Sequence, residues 1–284
     1  MNVELVEVAA DDGVTLAGMF LAAAAPPSES LPIDVSLMMH GSGQSFYQPL
    51  YRHFAQRLAA LGAPSLMANN RGHDVVSGPI GGPLLGTGYE NIDDCRLDWR
   101  AWISLLWERG YRKILLWGHS RGAAKTCYYL ALERDARVKA AVLLSPPLLS
   151  YSRWLRTRQA DVFRAHLAEA QQWVDRGEPD RPMRVEIPMP YISGAAQYLE
   201  KYGPEERYNI ERYLAKMPCP VLAFSGTEEV ANRFTFEGLP EVLDEAARQK
   251  PDLTPVSIPD GDHYYSGKQE LAMSHVEEWL RTLR

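Results

Sequence analysis

The chain has 284 residues, of which 46% are hydrophobic and 23% are charged, and this composition suits one large α/β domain or two smaller ones. Its net charge is −6 and no cluster of Lys and Arg stands out, which argues against nucleic acid as a partner. No apolar run approaches the length that spans a bilayer, and the first residues lack the pattern of a signal peptide.

The cysteines also bear on the compartment and on metal binding. Cys95, Cys127 and Cys219 lie far apart in the sequence, and this odd, unpaired set favours reduced thiols in a cytoplasmic protein. No spacing of Cys, His, Asp or Glu indicates a metal site, so the sequence predicts neither a metal nor a cofactor.

The predicted elements begin with two strands, 2–10 and 14–23, around Asp11-Asp12-Gly13, which is a strong hairpin signal. A small Pro-containing connector follows at 24–32. Short apolar runs then alternate with helical patterns, which predicts a parallel sheet with helices on both faces. The predicted strands are 35–40, 65–68, 114–117, 138–144, 220–225 and 254–258. The predicted helices are 47–61, 92–109, one that begins near Gly122, 236–249 and 268–283.

The alternation breaks between residues 148 and 217, where no convincing strand is found. The predicted elements there are a helix over the apolar pattern from Trp154 to Val174, a Pro-rich loop at 178–190 and short helices at 193–202 and 204–216. We interpret residues 148–217 as a helical cap inserted into a core domain made of residues 1–147 and 218–284.

A serine at a sharp turn is the most informative local feature. Residues 114–117 form an apolar run typical of a strand buried on both faces. Gly118-His119-Ser120-Arg121-Gly122 follows, and then an Ala-rich helical pattern begins. Glycine tolerates the strained dihedrals and the close approach that such a turn requires. The G-x-S-x-G string is common, but a strand before it and a helix after it make it specific for a nucleophile elbow.

Five short motifs at predicted strand ends carry a wider resemblance. They are His40-Gly41-Ser42-Gly43, Asn70-Arg71-Gly72-His73, the turn with Ser120, Gly226-Thr227-Glu228-Glu229 and Gly261-Asp262-His263. In this order, over nearly the whole chain, they resemble the serine hydrolases of the α/β-hydrolase superfamily. The resemblance implies the α/β-hydrolase fold, with a mostly parallel sheet, an N-terminal antiparallel hairpin, helices on both faces and an inserted helical cap.

The resemblance also implies catalytic roles. Ser120 would be the nucleophile and His263 the base that its hydroxyl needs at neutral pH. The family usually has an aspartate three residues after the glycine that ends the preceding strand. Counted from Gly226, that position is Glu229, which departs from the family pattern, and Glu228 remains the alternative acid. The chain order of serine, acid and histidine is that of the family.

Stabilisation of an oxyanion needs two donors near the serine. The backbone N–H of Arg121 is one, and the second comes from the loop after strand 35–40, with Ser42 as first choice and Gly43 as second.

The substrate pocket is expected to include His40, Trp154 and Tyr191, because aromatic side chains in a cap suit an acyl or aromatic group. Arginines accompany these aromatic residues in the cap. They fit either an anionic substrate or, as the preferred interpretation, a solvated face. The residues concerned are Arg153, Arg156, Arg158 and Arg164.

The resemblance therefore implies a cofactor-free carboxylic-ester hydrolase that forms an acyl-enzyme on a small-molecule, ester-like substrate, as a monomer or homodimer. Lactones, thioesters and amides use the same machinery, and hydrolysis of a C–C bond in a β-diketone-type substrate is a further alternative. The alternative from another class is a small-molecule binding protein without turnover, since fold does not fix function. Neither nucleic acid nor a membrane is expected as a partner.

Overall fold

Short apolar runs build a central sheet in the structure, a computed structural model that describes residues 3–25 and 31–283. The strands within these residues are β1 (Val3–Ala9), β2 (Thr15–Leu21), β3 (Val35–Met39), β4 (Ser65–Ala68), β5 (Ile114–His119), β6 (Val138–Leu144), β7 (Pro182–Val185), β8 (Tyr191–Gly194), β9 (Val221–Gly226) and β10 (Leu253–Ile258). The α-helices are α1 (Pro49–Ala60), α2 (Cys95–Glu108), α3 (Arg121–Glu133), α4 (Tyr151–Trp154), α5 (Ala160–Asp175), α6 (Ala195–Tyr202), α7 (Thr227–Asn232), α8 (Leu239–Gln249) and α9 (Gln269–Thr282).

Eight of these strands form one mixed sheet in the order β1-β2-β4-β3-β5-β6-β9-β10. β1 and β2 form the predicted antiparallel hairpin, and β2 pairs antiparallel with β4. The other neighbours are parallel. The predicted fold class, a mostly parallel sheet with antiparallel strands at its N-terminal edge, is therefore confirmed.

Helices cover both faces of the sheet. In β5, Leu115 and Trp117 pack in a cluster with α1 and α9, whereas Ile114 and Leu116 pack on the other face with α2, α3 and α8. All four side chains are fully buried because both faces of a parallel strand are covered. The carboxyl ends of β3, β5, β9 and β10 meet at one edge of the sheet, and the loops that leave this edge carry the motifs singled out in the sequence.

The inserted segment, residues 148–217, connects β6 to β9. It contains α4, α5 and α6, as a largely helical insertion would. It also contains a two-stranded antiparallel hairpin of β7 and β8, where the sequence predicted a loop at 178–190. The helix predicted at 204–216 is wrong. This stretch has two 3-10 turns, Ile210–Arg212 and Leu214–Lys216, because Glu206 adopts a positive φ of 46° that no α-helix contains.

The connector, the cysteines and the helices were each the subject of a further prediction. Much of the connector predicted at 24–32 lies outside the described residues, which omit 26–30. Cys95, Cys127 and Cys219 are buried and unbonded to one another. None of the helices in the described ranges has the length and apolarity needed to cross a membrane.

Candidate active site

Ser120 lies at the turn between β5 and α3, with a φ of 55° and a ψ of −127°. A positive φ in a residue with a side chain costs roughly 1–3 kcal/mol, so the surroundings must hold it. Its N–H donates to the carbonyl of Leu144 at 2.8 Å. A Cβ at Gly118 would lie 2.4 Å from the carbonyl oxygen of Gly122, and a Cβ at Gly122 would lie 2.5 Å from that of His40. Close backbone approach therefore requires both glycines, and the turn presents the serine at the sheet edge.

His263 follows β10, and its Nδ1 donates to Oε2 of Glu229 at 2.8 Å. Glu229 is buried in the first turn of α7, directly after β9. Its Oε1 accepts from the N–H of Gly226 at 3.0 Å and from the hydroxyl of Ser145 at 2.6 Å. The hydroxyl of Tyr265 lies 2.6 Å from that of Ser145. Because an ionised carboxylate only accepts, Nδ1 carries the ring proton and Nε2 is left to accept one.

Burial and neighbouring groups set the protonation of this pair. Burial lowers the pKa of His263 below its ordinary value, and the positive charge of Arg233 lowers it further. Burial raises the pKa of Glu229, and the hydrogen bonds from Ser145 and Gly226 oppose that rise. The imidazole is therefore neutral at neutral pH, which is the form that can take a proton from a hydroxyl.

Two backbone N–H groups near Ser120 are available as donors. Within the described residues, neither the N–H of Ser42 nor that of Arg121 has an acceptor in the chain, and Arg121 is the first residue of α3, where such groups are normally left over. The N–H of Gly43, the second choice from the sequence, already donates to Oγ1 of Thr87 at 2.7 Å. The geometry therefore leaves Ser42 and Arg121 as the pair that can bind a developing negative charge.

Ser120, Ser42, Arg121 and His263 all line one cavity of about 620 Å³. Leu149, Val162 and the tip of the β7–β8 hairpin, residues 186–190, form one wall from the inserted segment. Residues 232–236, which begin at the last residue of α7, form another wall, and the ring of Phe236 has its centre 5.1 Å from that of His263. The walls are mainly apolar near the serine, so the cavity can accept an acyl or aromatic group.

Glu228 and His40 lie away from this cavity. Glu228 is exposed and accepts from the side-chain amide of Asn232 at 3.0 Å, so its carboxylate is not the one that contacts His263. His40 is buried, with its Nδ1 2.8 Å from the carbonyl oxygen of Gly41 and its Nε2 3.3 Å from the N–H of Asn70. It joins the loop after β3 to the loop after β4 instead of lining the predicted pocket.

The two aromatic residues expected in the pocket are core residues of the inserted segment. Nε1 of Trp154 donates to the carbonyl of Leu148 at 3.0 Å, and its ring lines a neighbouring cavity. The hydroxyl of Tyr191 donates to that of Tyr202 at 3.2 Å. Neither Trp154 nor Tyr191 lines the cavity that contains Ser120, because Trp154 packs against other aromatic rings and Tyr191 is buried in the core with its hydroxyl on Tyr202.

Several residues of the site were not singled out in the sequence. Ser145 follows β6 at the same sheet edge, and its place after a predicted strand was the available signal. Phe234 and Phe236 lie close after Glu229, and a pair of aromatic residues so near a motif was a weaker signal. His119 bridges the hydroxyl of Tyr51 at 3.0 Å and the carbonyl of His263 at 2.8 Å, which fixes the backbone of His263.

A buried cluster of charges lies behind the turn that carries Ser120. The guanidinium of Arg121 pairs with Glu90 at 3.3 Å and bonds the hydroxyl of Tyr202, and Lys125 also bonds Glu90. Burial alone would raise the pKa of Glu90, but Lys125, Arg121 and Lys201 outweigh it and lower the pKa. Lys201 is buried beside them and donates to the carbonyl of Thr87 at 2.7 Å.

No group of three or more His, Cys, Asp or Glu side chains in residues 3–25 and 31–283 is arranged to hold a metal ion.

The comparison with protein families agrees with this fold. Residues 37–272 match a model described as the alpha/beta hydrolase family, and the chain belongs to that family. No curated protein sequence shows significant similarity to the chain.

Solved structures with the same fold include three from different organisms. Est1E from Butyrivibrio proteoclasticus, which has also been solved with ferulic acid bound, superposes with a TM-score of 0.65 at 17% identity over 97% of both chains. The alpha/beta hydrolase GrgF from Penicillium sp. sh18 gives 0.70 at 15% identity, over 100% of this chain and 99% of its own. The Pyrococcus furiosus esterase Pf2001 gives 0.63 at 17% identity, over 99% and 91%. At such identities the likeness shows the fold alone.

Proposed function

We propose that this hydrolase cleaves a carboxylic ester through an acyl-enzyme, with Ser120, His263 and Glu229 as its triad. The observation that carries the proposal is that these three residues, far apart in the sequence, lie together at one edge of the sheet. Ser120, on a strained turn, and His263 line one cavity, and Glu229 holds Nδ1 of His263 at 2.8 Å. An activated serine needs a base and a group that orients the base.

In the first half-reaction, Oγ of Ser120 attacks the ester carbonyl carbon while Nε2 of His263 takes its proton. Glu229 stabilises the imidazolium that forms. The N–H groups of Ser42 and Arg121 donate to the oxyanion, and the loss of one such donor typically costs about 3–4 kcal/mol. The C–O bond to the alcohol then breaks, and His263 returns the proton to the departing alkoxide.

In the second half-reaction, water attacks the carbonyl carbon of the acyl-enzyme. His263 takes a proton from this water and afterwards gives it to Oγ of Ser120 as the acid leaves. The chain uses the same donors for both tetrahedral intermediates.

The substrate class follows from the walls of the cavity. Leu149, Val162 and Phe234 supply apolar surface for an acyl or aromatic part of a small-molecule ester. We assign residues 148–217 as a cap over the core formed by residues 1–147 and 218–284, because this segment supplies one wall of the cavity. The binding of ferulic acid by Est1E is consistent with such a ligand.

Labelling by a fluorophosphonate probe tests the nucleophile. We expect the probe to label the wild-type protein and the Ser274→Ala variant, whose hydroxyl lies on the exposed face of α9, and to leave Ser120→Ala unlabelled. Labelling of Ser120→Ala at the wild-type rate would overturn the assignment of the nucleophile.

A panel of 4-nitrophenyl esters from acetate to decanoate tests the reaction. We expect hydrolysis of at least the shorter esters, abolished by Ser120→Ala. Labelling without any ester hydrolysis would favour C–C or amide substrates. The absence of both labelling and hydrolysis would favour a binding protein.

A further inference from the structure

A second cavity, of about 820 Å³, adjoins the one that contains Ser120. Asn232, Arg233 and Phe234 line both cavities and so form their common wall. The opposite wall comes from the end of α4 and the turn after it, residues 153–158. We call this space the arginine cavity, because Arg153, Arg156, Arg158 and Arg233 all line it.

Three of these four guanidinium groups have no carboxylate partner. Arg153 pairs with Glu211 at 2.5 Å. Among the described residues, Arg156, Arg158 and Arg233 form no ion pair and no side-chain hydrogen bond. The carboxylate that lines the cavity is that of Glu237, so the lining carries excess positive charge.

This excess contrasts with the rest of the chain, which has a net charge of −6. Many arginines elsewhere have a partner, which is a carboxylate for Arg71 and Arg96 and a backbone carbonyl for Arg134. Arg156, Arg158 and Arg233 are exposed, so solvent weakens the repulsion between these like charges, and a bound anion would relieve what remains. A planar guanidinium matches the geometry of a carboxylate or phosphate group.

We propose that the arginine cavity binds an anionic group, a carboxylate or a phosphate, at one end of the substrate whose ester bond lies at Ser120. This inference rests on the proposed function, since it assigns the substrate class of the same site. The apolar residues near Ser120 contact the part of the substrate next to the ester, and Phe234 separates that part from the anionic end. The substrate is therefore an acidic ester of a small molecule.

Pairs of esters with equal chain length test the proposal directly. Mono-4-nitrophenyl adipate and sebacate carry a terminal carboxylate that 4-nitrophenyl hexanoate and decanoate lack. We expect a higher kcat/KM for the acidic ester of at least one pair, and a smaller preference in 0.5 M NaCl because salt screens exposed charges. The 4-nitrophenyl ester of 10-phosphonooxydecanoic acid shows whether phosphate is preferred to carboxylate.

The variant with both Arg156→Gln and Arg158→Gln should reduce the ratio of acidic to neutral kcat/KM at least about threefold, since each charged pair at an exposed site contributes about 0.2–1 kcal/mol. The ratio compares two substrates on one protein preparation, so a loss of folded enzyme does not change it. Arg164→Gln is the matched control. Arg164 lies on α5 in the same segment, pairs with Asp161 at 2.9 Å and lines neither cavity.

Binding to Ser120→Ala separates this inference from the proposed function. By calorimetry, we expect sebacate to bind more tightly than decanoate, and the double arginine variant to lose that advantage. Equal binding of the two acids, with the double variant unaffected, would overturn the anion site even if ester hydrolysis is observed. Tighter binding of sebacate would support the site even if no ester is hydrolysed and Ser120 is not labelled.

Discussion

A glutamate occupies the position beside His263 where the family usually has an aspartate. The side chain of Glu229 has one more rotatable bond than that of an aspartate. Two donors to Oε1, the N–H of Gly226 and the hydroxyl of Ser145, hold it in one conformation. The hydroxyl of Tyr265 lies against that of Ser145 and, because Ser145 gives its only proton to Glu229, Tyr265 donates to it. We therefore propose that Ser145 positions Glu229.

Replacement of Ser145 by alanine tests this role. The hydrogen bond from Ser145 lowers the pKa of Glu229, so its loss raises the pKa of the pair formed by Glu229 and His263. Activity is lost as pH falls through that pKa, and Ser145→Ala should therefore move the acid limb of kcat/KM to higher pH. We also expect kcat/KM at pH 7 to fall about tenfold, since hydrogen bonds to charged groups contribute about 1.5–3 kcal/mol.

Tyr265→Phe is the comparison, because it keeps the bond between Ser145 and Glu229. It should move the acid limb less than Ser145→Ala does. An acid limb that stays in place in Ser145→Ala, with a normal melting temperature, would rule out the role of Ser145.

For individual residues, the sequence predicted positions in the site best where a motif directly follows a strand. Ser120, Glu229 and His263 were predicted because each lies at a fixed offset after a predicted strand, and the structure places Glu229 on His263 and Ser120 in the same cavity as His263. Phe234 and the hairpin tip were not, because their position beside Ser120 depends on how separate segments pack. The same reason explains why the inward packing of Trp154 and Tyr191 could not be foreseen.

Among the secondary-structure elements, the strands of the sheet were the best predicted. β4 and β6 have the predicted bounds, 65–68 and 138–144, because buried parallel strands appear in a sequence as short apolar runs. α1 and α9 each begin and end within two residues of the prediction.

The β7–β8 hairpin was missed because prolines dominate its sequence. Pro182 begins β7, and Pro188 and Pro190 lie in the connection. Two-stranded hairpins tolerate proline at strand ends and edges, where no ladder bond is lost. The alternation of buried Met183, exposed Arg184 and buried Val185 was the signal for a strand.

The tip of this hairpin should select acyl length. Met189 lines the cavity, so Met189→Ala removes apolar contact that only a longer acyl chain reaches. We expect kcat/KM for octanoate and decanoate esters to fall about threefold to tenfold relative to the acetate ester, given about 0.8 kcal/mol per buried methylene group. Ile192→Ala, on the same hairpin but outside the cavity, should leave the profile as in the wild type. A profile of Met189→Ala that matches the wild type would exclude this role of the tip.

Across the whole molecule, buried charges join the inserted segment to the sheet core. Lys201 and Tyr202 of α6 meet Glu90 and Arg121, and Arg121 directly follows Ser120. Removal of one member of such a cluster leaves another charge buried without its partner. The position of the segment is therefore coupled to the turn that presents Ser120.

Stability as a function of pH tests the state of this cluster. Burial and the positive charge of Arg121 together lower the pKa of Lys201 to about 7, whereas an unfolded lysine holds its proton to about pH 10. Between these values the unfolded chain binds more protons, so this group makes the free energy of unfolding rise with pH, by up to about 1.4 kcal/mol per pH unit. Urea denaturation should be measured between about pH 7.5 and about pH 9.5, which lies between these two pKa values. We expect the free energy of unfolding to rise less with pH in Lys201→Met than in the wild type. Lys139→Met, at an exposed site, should keep the wild-type slope; identical slopes in all three proteins would refute the explanation.

The direct pairing of β6 with β9 has a consequence for protein engineering. These strands are parallel neighbours, so the chain leaves the sheet at the carboxyl end of β6 and returns to it at the amino end of β9, and a different excursion that makes the same crossover can be grafted there without rearranging the strand order. A chimaera would still have to bring a cation to Glu90 and a hydroxyl to Arg121. A segment that replaces residues 148–217 must therefore reproduce these two contacts as well as join the ends of β6 and β9.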